Sequence, residues 1–505
     1  MIYNVLQLLE RNAACAPDKP ALSDDSGRIW TYAQYLEQAR RIGTYLSRSL
    51  SVRNQPVAVL IDRNAMSVLA FLGVVCSGNF YVPIDTSMPR ERIDLIFETL
   101  HPVAVIDARI RKTGWEDAAD AEEIIRQTDI DEEGLYQIRR SMIDTDPLYC
   151  IFTSGSTGVP KGVLISHRGV LDLVNGFADC FSFPEDLIFG NQAPFDFDVS
   201  VKDIYNALFC CGRVEVLPRK LFKMPVSLIE YLRERHVNIL IWAVSALRIV
   251  ADFSTLDHTR APDELRYIMF SGEVMPVKAL NYWMNHVPLA RYVNLYGPTE
   301  ITCNCTYYEV TYQHPDDAML PVGKAFPNRR VFLRDESGQI ITKRNVVGEI
   351  CVAGSCLALG YWNNPERTDA AFVQHPSVQE YHSGIYATGD MGYYDEHSDI
   401  VFAARRDGQI KHMGHRIELG EIEAALNAIP FVHVSCCLFD SANERIVCCY
   451  EAEAECKKDI VLALGKKLPK YMWPNVYKHY ERIPLNKNGK IDRALLNQLL
   501  LRGEL

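Results

Sequence analysis

The chain has 505 residues, which is too long for one compact domain, so we expect two or three structural units. Its hydrophobic content of 48% and charged content of 23% are typical of a soluble globular enzyme, and its formal charge of −11 argues against a nucleic-acid-binding protein. No run of about 18 apolar residues is present, so no membrane span is expected. The N-terminal residues lack a basic region followed by a cleavable apolar core, which favours a cytoplasmic location.

The cysteines favour the same reducing compartment. There are 15 of them, an odd count, and several are adjacent inside apolar runs, namely Cys210 and Cys211, Cys436 and Cys437, and Cys448 and Cys449. We therefore expect packed thiols rather than disulfides, and no C-x-x-C pair suggests a zinc site.

Strand and helix patterns alternate along most of the chain. Amphipathic helical patterns at residues 5–14 and 32–49 precede an apolar strand at 56–61, an apolar helix at 67–78 and a strand that leads into a turn at 79–89. The alternation continues through residues 103–107, 170–177, 214–217, 237–242 and 267–270. Such alternation predicts parallel α/β layers.

The pattern changes in the last third of the chain. After about residue 348 it consists of short strands with frequent Gly and Asp, and a second unit is predicted to begin near Ala404. Residues 406–505 contain 15 Lys or Arg and 13 Asp or Glu, a net of +2, so the remainder carries about −13. This asymmetry would suit the docking of an acidic partner, and ordinary solvated lysines explain it equally well.

A loop of small residues is the most informative segment. Residues 149–162, YCIFTSGSTGVPKG, begin as a short apolar strand and continue into Thr153, Ser154, Gly155, Ser156, Thr157 and Gly158. Such a loop offers backbone N–H groups and hydroxyls, and Lys161 adds a positive charge, as a polyphosphate requires. The spacing is not that of a Walker A loop. The alternative is a flexible turn, against which the Pro-Lys-Gly ending and the apolar run after it argue.

The segment TSGSTGVPKG resembles the phosphate-loop signature of the adenylate-forming superfamily, which includes acyl-CoA synthetases, luciferases and the adenylation domains of nonribosomal peptide synthetases. The resemblance covers nearly the whole chain and is nearest to stand-alone amino-acid:carrier-protein ligases such as the D-alanine ligases. It implies an α/β fold in which residues 1–405 form layered α/β subdomains plus a β-barrel-like subdomain. Residues 406–505 would form a small mobile α+β domain. ATP and Mg²⁺ are the implied cofactors.

The segment NLYGPTE, residues 294–300, offers groups for a nucleotide. Tyr296 has a ring face for a purine, Thr299 has a hydroxyl for a phosphate oxygen, and Glu300 has a carboxylate for Mg²⁺. The resemblance implies that Asn294 and Tyr296 hold adenine. It assigns the α-phosphate and the metal to Thr299 and Glu300.

Other nucleotide contacts are implied by the resemblance. Gly272 and Glu273 would line the other face of adenine, and Asp390, in the segment YATGD, would accept hydrogen bonds from the ribose hydroxyls. Arg405 would approach the ribose and the phosphates. This chain has Ala404 where the family has Gly, and Ala tolerates fewer backbone angles.

Three positions near the C-terminal unit match catalytic and hinge positions of the family. Asp407 matches the hinge about which the small domain rotates, although an Asp beside Gly is also a good turn former. In the segment PLNKNGKIDR, a tight Asn-Gly turn precedes Lys490, which the resemblance places between the substrate carboxylate and the α-phosphate. Because that reaction joins two anions, a positioned cation is worth several kcal/mol. Lys411 and Gly414 match positions that face the site when a phosphopantetheine thiol enters.

The segment APFDFDVSVKDIY resembles the stretch in which amino-acid adenylation domains carry an Asp for the substrate ammonium group, and Asp198 is that residue here. A helix that starts there places Asp198, Val199 and Lys202 on one face. A buried Lys202 needs a carboxylate or a route to water, and two carboxylate partners are open: an acidic substrate side chain, or Asp198 itself. The other matched pocket positions, which favour an acidic or small polar substrate, are Trp242, Met269, Ser271, Leu295, Cys303 and Asn304.

Together these motifs predict an AMP-forming amino-acid ligase. An amino acid and ATP would give aminoacyl-AMP and pyrophosphate, and the phosphopantetheine thiol of a separate carrier protein would then displace AMP. The carrier is expected to be separate because the chain ends 12 residues after the Lys490 motif. The alternatives are an acyl- or aryl-CoA synthetase, an adenylation domain cut from a larger synthetase, and an inactive binding or scaffold homologue. Asp198 argues against the first, Met1 and the natural end oppose the second, and the intact Lys161, Glu300 and Lys490 oppose the third.

Overall fold

A computed structural model of the protein describes residues 2–155, 158–406, 409–486 and 491–505. The chain forms two compact units. Unit 1 comprises Met1–Asp85, Leu100–Ile151 and Gly162–Ala404. Unit 2 comprises the C-terminal residues Arg405–Leu505 together with the earlier segments Thr86–Thr99 and Phe152–Lys161. The inclusion of these two earlier segments in unit 2 was not predicted from the sequence.

The described residues contain 15 α-helices and short 3₁₀ turns. The helices are α1 (Leu6–Cys15), α2 (Tyr32–Ser49), α3 (Ala65–Cys76), α4 (Arg90–Leu100), α5 (Ala121–Gln127), α6 (Glu132–Ser141), α7 (His167–Cys180), α8 (Val199–Cys210), α9 (Pro225–Glu234), α10 (Val244–Asp252), α11 (Val277–His286), α12 (Pro365–Ala371), α13 (Leu419–Asn427), α14 (Lys457–Lys467) and α15 (Arg493–Leu501). The 3₁₀ turns are Arg219–Lys223, Thr255–Asp257, Thr299–Ile301 and Lys470–Met472.

The strands of the described residues are β1 (Pro20–Ser23), β2 (Ile29–Thr31), β3 (Pro56–Ile61), β4 (Phe80–Asp85), β5 (Ala104–Asp107), β6 (Ala119–Asp120), β7 (Pro147–Thr153), β8 (Lys161–Ser166), β9 (Ile188–Asn191), β10 (Arg213–Val216), β11 (Ile239–Ala243), β12 (Tyr267–Ser271), β13 (Arg291–Tyr296) and β14 (Thr306–Val310). They continue with β15 (Lys324–Ala325), β16 (Arg329–Arg334), β17 (Ile340–Ile341), β18 (Gly348–Gly354), β19 (Gly360–Tyr361), β20 (Phe372–Gln374), β21 (Gly384–Tyr394), β22 (Ile400–Arg405), β23 (Gln409–His412), β24 (His415–Glu418), β25 (Val434–Asp440), β26 (Arg445–Glu451) and β27 (Val476–Tyr480).

A nine-stranded sheet with the order β15-β14-β13-β12-β11-β9-β10-β1-β2 forms the largest layer. Its central strands are parallel, and the outer strands β2, β14 and β15 pair antiparallel. Alternate residues of β12 enter two different cores: Met269 packs with α7 and α8, and Phe270 packs with α9, α10 and α11. The sheet is therefore covered by helices on both faces, as parallel sheets require.

The second sheet has seven strands in the order β19-β8-β7-β4-β3-β5-β6, and β3 to β6 with β7 pair in parallel. A third sheet is antiparallel, with the order β17-β16-β18-β21-β20 and β22 beside β21. The observed architecture confirms the predicted α/β class. The strand and helix predicted at residues 56–61 and 32–49 coincide with β3 and α2.

In unit 2, β23 and β24 form a hairpin, and β25, β26 and β27 form a sheet covered by α13 and α14 on one face and α15 on the other. Cys436 lies opposite Cys449, and Cys437 opposite Cys448, across β25 and β26. All four are buried free thiols, and burial raises the pKa of Cys436 to about 11. The thiolate form of Cys436 is therefore scarce near neutral pH.

Within the described ranges, none of the helices combines the length and apolar character that crossing a lipid bilayer requires.

The contact between α2 and α3 depends on small residues. A Cβ atom placed on Gly43 would lie 2.5 Å from the Cβ of Cys76, whereas one on Gly176, within α7, would meet its nearest neighbour, a ring atom of Phe326, at 3.5 Å. Both glycines lie inside helices, where replacement by Ala improves helix propensity by about 1 kcal/mol.

We expect Gly43→Ala to destabilise the protein by about 1–3 kcal/mol, because the new methyl group overpacks two helices that lack room to separate. Gly176→Ala is the matched control and is expected to be neutral or slightly stabilising. Chemical denaturation of both variants measures the difference, and equal stability of the two would contradict this account of the helix contact.

Candidate active site

The carboxyl ends of two neighbouring parallel strands bring predicted residues together. Strand β12 ends at Ser271 and β13 ends at Tyr296, and the two strands pair in register. In open α/β sheets, this edge is where ligands bind. Helix α8 begins next to it, directly after Asp198, whose side chain makes no capping bond to the helix.

Lys202 lies on α8 and is completely buried. Its Nζ donates a hydrogen bond to Oγ of Ser271 at 2.9 Å. Among the described residues Lys202 forms no ion pair, so the pairing with Asp198 that the helical spacing allowed is not formed. A buried ammonium group without a counter-ion costs several kcal/mol.

Asp203, the next residue, is the nearest buried acid on α8. Its Oδ2 accepts a hydrogen bond from Nδ2 of Asn191 at 2.8 Å. Burial raises the pKa of Asp203 to about 7, against the opposing effects of the Asn191 bond and the positive charges of Lys202 and Arg63. Near neutral pH this carboxyl group is therefore partly protonated and is a poor counter-ion for Lys202.

Arg63 fixes the backbone that leads into this helix. Its guanidinium donates to the carbonyl oxygens of Asn191, Gln192, Ala193 and Leu217 at 2.7–2.9 Å. Burial lowers the pKa of Arg63 to about 10, so the group is charged at neutral pH. The segment between β9 and α8 is thereby held by charge-assisted bonds, which are the stronger kind.

Two residues predicted to bind the nucleoside touch each other. Oη of Tyr296 donates to Oδ2 of Asp390 at 2.6 Å, and both side chains are buried. The backbone N–H of Asp390 donates to Oγ1 of Thr388, beside a register shift between β18 and β21 and a positive φ of 75° at Gly389. The irregular strand therefore turns the carboxylate of Asp390 towards the end of β13.

The predicted metal ligand Glu300 lies in the 3₁₀ turn that also holds Thr299, and both are buried. Oε1 of Glu300 accepts a hydrogen bond from Oη of Tyr361 at 2.8 Å. The two residues that follow the turn, Thr302 and Cys303, have φ of 56° and 76°, a left-handed backbone that non-glycine residues rarely adopt. Two strained residues in succession are characteristic of functional loops.

Gly297 allows this loop to return close to β13. A Cβ atom there would lie 2.7 Å from both Cα of Asn304 and the carbonyl oxygen of Cys303. Asn304 is buried, and its Oδ1 has no hydrogen-bond partner. An unpaired buried amide oxygen is costly, so it is suited to a ligand donor such as an ammonium group.

The predicted pocket wall is divided between the two faces of the sheet. Met269, Leu295 and Cys303 belong to the core shared with α8, on the side of Lys202 and Ser271. Trp242 instead pairs in register with Phe270, packs in the core on the other face, and donates from Nε1 to the carbonyl oxygen of Gly190. The assignment of Trp242 to the pocket stays a prediction.

The residues predicted around adenine have separate environments. Gly272 has a φ of 98°, and a Cβ atom there would meet no other atom within 4 Å, so the backbone borders open space. Oε2 of Glu273 accepts from the backbone N–H of Ser245, near the start of α10. Nδ2 of Asn294 donates to the carbonyl oxygen of Pro321.

The predicted phosphate loop lies in unit 2. Oγ1 of Thr153 is buried without a hydrogen-bond partner, and Lys161 is 8% exposed. Oγ of Ser154 donates to the carbonyl oxygen of Arg416 at 2.7 Å, and the backbone N–H of Gly155 donates to Oε2 of Glu421 at 3.2 Å.

The other predicted residues of unit 2 lie on β22 and on the β23–β24 hairpin. Arg405 ends β22, and Lys411 lies opposite Arg416 in the hairpin. Met413 and Gly414 form its two-residue turn, both with positive φ, as in a type I′ turn. The predicted residues Ser156, Thr157, Asp407 and Lys490 lie outside the described residues, and Gly158 begins the next described range with a φ of 83°.

Four further residues were missed by the sequence analysis: Arg63, Tyr361, Arg92 and Glu421. Each acts through a partner between 61 and 329 positions away in the chain. Arg92 and Glu421 lie on the helices α4 and α13, where charged residues are common. No local sequence pattern therefore indicated that the two side chains pair.

The chain is similar to known enzymes over almost its entire length. A family model described as AMP-binding enzyme matches residues 9–362. The D-alanine--D-alanyl carrier protein ligase of Lacticaseibacillus casei (strain BL23) is 30% identical over 513 residues, which cover 98% of this chain and 99% of that ligase. Bacitracin synthase 1 of Bacillus licheniformis is 30% identical over 496 residues, covering 97% of this chain but 9% of the synthase.

Among solved structures, holo-PA1221, an NRPS protein containing adenylation and PCP domains bound to a vinylsulfonamide inhibitor, superimposes with a TM-score of 0.84 at 25% identity. The superposition covers 98% of this chain and 84% of that one.

The raised pKa of Asp203 predicts a pH-dependent stability. Its pKa is about 7 in the folded protein and about 3.9 in the unfolded chain, so the stabilisation from the buried neutral acid is complete below about pH 4 and is lost as the pH rises to about 7. In Asp203→Asn this loss should disappear. The stability of the variant relative to the natural protein should therefore rise by up to about 1.4 kcal/mol per pH unit in that window.

Urea denaturation between about pH 4 and pH 8 measures this slope. Asp18→Asn, which removes an exposed carboxylate, is the control. If the stability relative to the natural protein changed with pH equally in Asp203→Asn and Asp18→Asn, Asp203 would be ionised throughout this pH window.

Proposed function

Since this chain belongs to the AMP-binding enzyme family and is an AMP-forming ligase, we propose that it activates an amino acid as aminoacyl-AMP and transfers it to the phosphopantetheine thiol of a separate carrier protein. The observation that carries the amino-acid assignment is the start of α8, where Asp198 follows the backbone held by Arg63 and precedes the buried Lys202. In this proposal Asp198 accepts the α-ammonium group, which fatty and aryl acids lack.

ATP and Mg²⁺ fit the donor groups that are present. The buried, unpartnered hydroxyl of Thr153 and the amide of Gly155 are donors suited to phosphate oxygens. Glu300 would hold Mg²⁺ through its carboxylate, with Tyr361 orienting it by the bond to Oε1. Bound Mg²⁺ would neutralise charge on the phosphates as the α-phosphorus is attacked. Tyr296 and Asp390 would bind the adenosine.

The substrate is proposed to have an acidic side chain. Lys202 is buried, bonds to the hydroxyl of Ser271 and lacks an ion pair among the described residues, so a substrate carboxylate would supply the missing negative charge. Ser271 would hold the ammonium group of Lys202 in place, and its hydroxyl can itself donate to the substrate's side-chain carboxylate. Met269, Leu295, Cys303 and Asn304 would complete the pocket.

The first step joins a carboxylate oxygen of the amino acid to the α-phosphorus of ATP, and the bond to the bridging oxygen breaks so that pyrophosphate leaves. Lys490 is proposed to stabilise the charge on the α-phosphate, together with Thr299. In the second step the thiol sulfur of the carrier attacks the acyl carbon, loses its proton, and AMP leaves. Lys411 and Gly414 are proposed to border the entry of that thiol.

The names of the relatives support a carrier protein as partner, since one is a carrier protein ligase and one solved neighbour contains PCP domains. Bacitracin synthase 1 is far longer than this chain, so the substrates of that whole synthase are not transferred here.

Amino-acid-dependent pyrophosphate exchange tests the substrate. Aspartate or glutamate, in both enantiomers, should support exchange better than serine, D-alanine or a fatty acid. Lys202→Met should lower kcat/KM for the acidic substrate by at least about 100-fold, equivalent to about 2.7 kcal/mol, because the apolar side chain fills the same space without the charge. Lys278→Met, which removes an exposed lysine, is the control. Preference for a neutral amino acid with unchanged kinetics in Lys202→Met would refute the acidic-substrate assignment.

The role of Lys490 is tested separately. Lys490→Ala should lower the rate of adenylate formation by at least about 100-fold, or about 2.7 kcal/mol, while ATP binding is nearly unchanged. Lys487→Ala, in the same sequence motif, is the matched control. Single-turnover adenylation measures the rate, and a normal rate in Lys490→Ala would remove this lysine from the mechanism.

A further inference from the structure

Within unit 2, the phosphate loop is in contact with a carboxylate of the same unit. Oε2 of Glu421, on α13, accepts a hydrogen bond from the backbone N–H of Gly155 at 3.2 Å. Oε1 of the same carboxylate forms an ion pair with Arg92 on α4. Glu421 is 1% exposed and Arg92 is 5% exposed, so both charges are removed from water.

These donors are of the kind that binds phosphate. An amide N–H in a loop of small residues and an arginine guanidinium bind either a carboxylate or a phosphoryl group, with similar geometry. Glu421 therefore occupies donors that a polyphosphate would use. A carboxylate and a polyphosphate cannot share them, because like charges at contact distance repel strongly.

A second acid on the same helix shows what a purely structural carboxylate does. Glu423 pairs with Arg493 on α15 and accepts from the backbone N–H of Cys437 on β25. These contacts hold α13 to the sheet beneath it. Glu421 instead bonds to Gly155 and pairs with Arg92, which lie outside that sheet and those helices.

The side chains of Arg92 and Glu421 line an open cavity. This cavity of about 310 Å³ borders the ion pair, and its lining includes Gly158, Val159 and Lys467. Burial raises the pKa of Glu421, and the charge of Arg92 opposes that effect. A carboxylate that has lost its hydration gains by moving into water, which favours its release when another anion is available.

We propose that Glu421 is an exchangeable internal anion: a polyphosphate displaces its carboxylate from Gly155 and Arg92, and the carboxylate returns when the polyphosphate leaves. Arg92 thereby becomes a phosphate-binding residue, and Glu421 competes with the ligand. The polyphosphate is either the terminal part of ATP or released pyrophosphate. Its physiological identity rests on the proposed ATP-dependent reaction, whereas the exchange itself does not require an amino acid.

Calorimetric titration of pyrophosphate, and separately of ATP, into the full-length protein without amino acid tests the exchange. Glu421→Gln should bind pyrophosphate about tenfold more tightly than the natural protein, a change of ~1.4 kcal/mol, because the competing charge is gone. Arg92→Met should bind it at least about tenfold more weakly. Glu423→Gln, which removes the structural carboxylate of the same helix, should leave the affinity unchanged. Tighter binding of ATP alone in Glu421→Gln would assign the site to the bound nucleotide. Tighter binding of both ATP and pyrophosphate would show that the released product also uses the site.

Unchanged or weaker binding of both pyrophosphate and ATP in Glu421→Gln would overturn the proposal, as would an equal change in Glu423→Gln. Should Glu421→Gln fail to fold, Arg92→Met tests the proposal by itself: pyrophosphate binding weakened at least about tenfold supports it, and unchanged binding overturns it. If no amino acid supports pyrophosphate exchange in the natural protein while these affinities change as stated, the proposed function fails and the exchangeable carboxylate stands.

Discussion

A guanidinium buried among backbone carbonyl oxygens is the interaction on which the start of α8, the proposed substrate site, depends. Arg63 holds the carbonyl groups of residues 191–193 and of Leu217, and α8 begins shortly after this segment. The position of Asp198 at the start of that helix, and of Lys202 one turn later, follows from this anchor. Loss of Arg63 would therefore misplace both groups without touching either of them, because carbonyl groups released from a charged donor leave the loop without a fixed path.

Each unit holds a buried charged side chain, and the two are paired differently. In unit 1 the ammonium group of Lys202 has a hydroxyl for a neighbour and no counter-ion among the described residues. In unit 2 the loop amide and Arg92 hold the carboxylate of Glu421. Under the proposed function, the ammonium group of Lys202 would select for an acidic substrate. The paired carboxylate of Glu421 would favour reversible phosphate binding, since it replaces the departing ligand.

The local pattern of the sequence was sufficient for the α/β class, for elements such as α2 and β3, and for the start of α8 after Asp198, because apolar periodicity and capping act over a few residues. It was also sufficient to relate the chain to AMP-binding enzymes through the loop at residues 153–161. The bond between Tyr296 and Asp390, the support of Glu300 by Tyr361, and the pairing of Arg92 with Glu421 join distant parts of the chain. Local sequence patterns do not encode such contacts. Whether Lys202 pairs with Asp198 also depends on side-chain conformation, which the sequence pattern does not specify.

The bond between Lys202 and Ser271 also bears on how this site can change over time. The two side chains come from a helix and a strand whose backbones are fixed by other residues, so replacing them alters the charge and volume of the pocket while the scaffold keeps its shape. Under the proposed function, paired exchange at these two positions is therefore a short evolutionary route to another amino-acid substrate. An engineer who wishes to redirect the enzyme would begin with a library at these two codons.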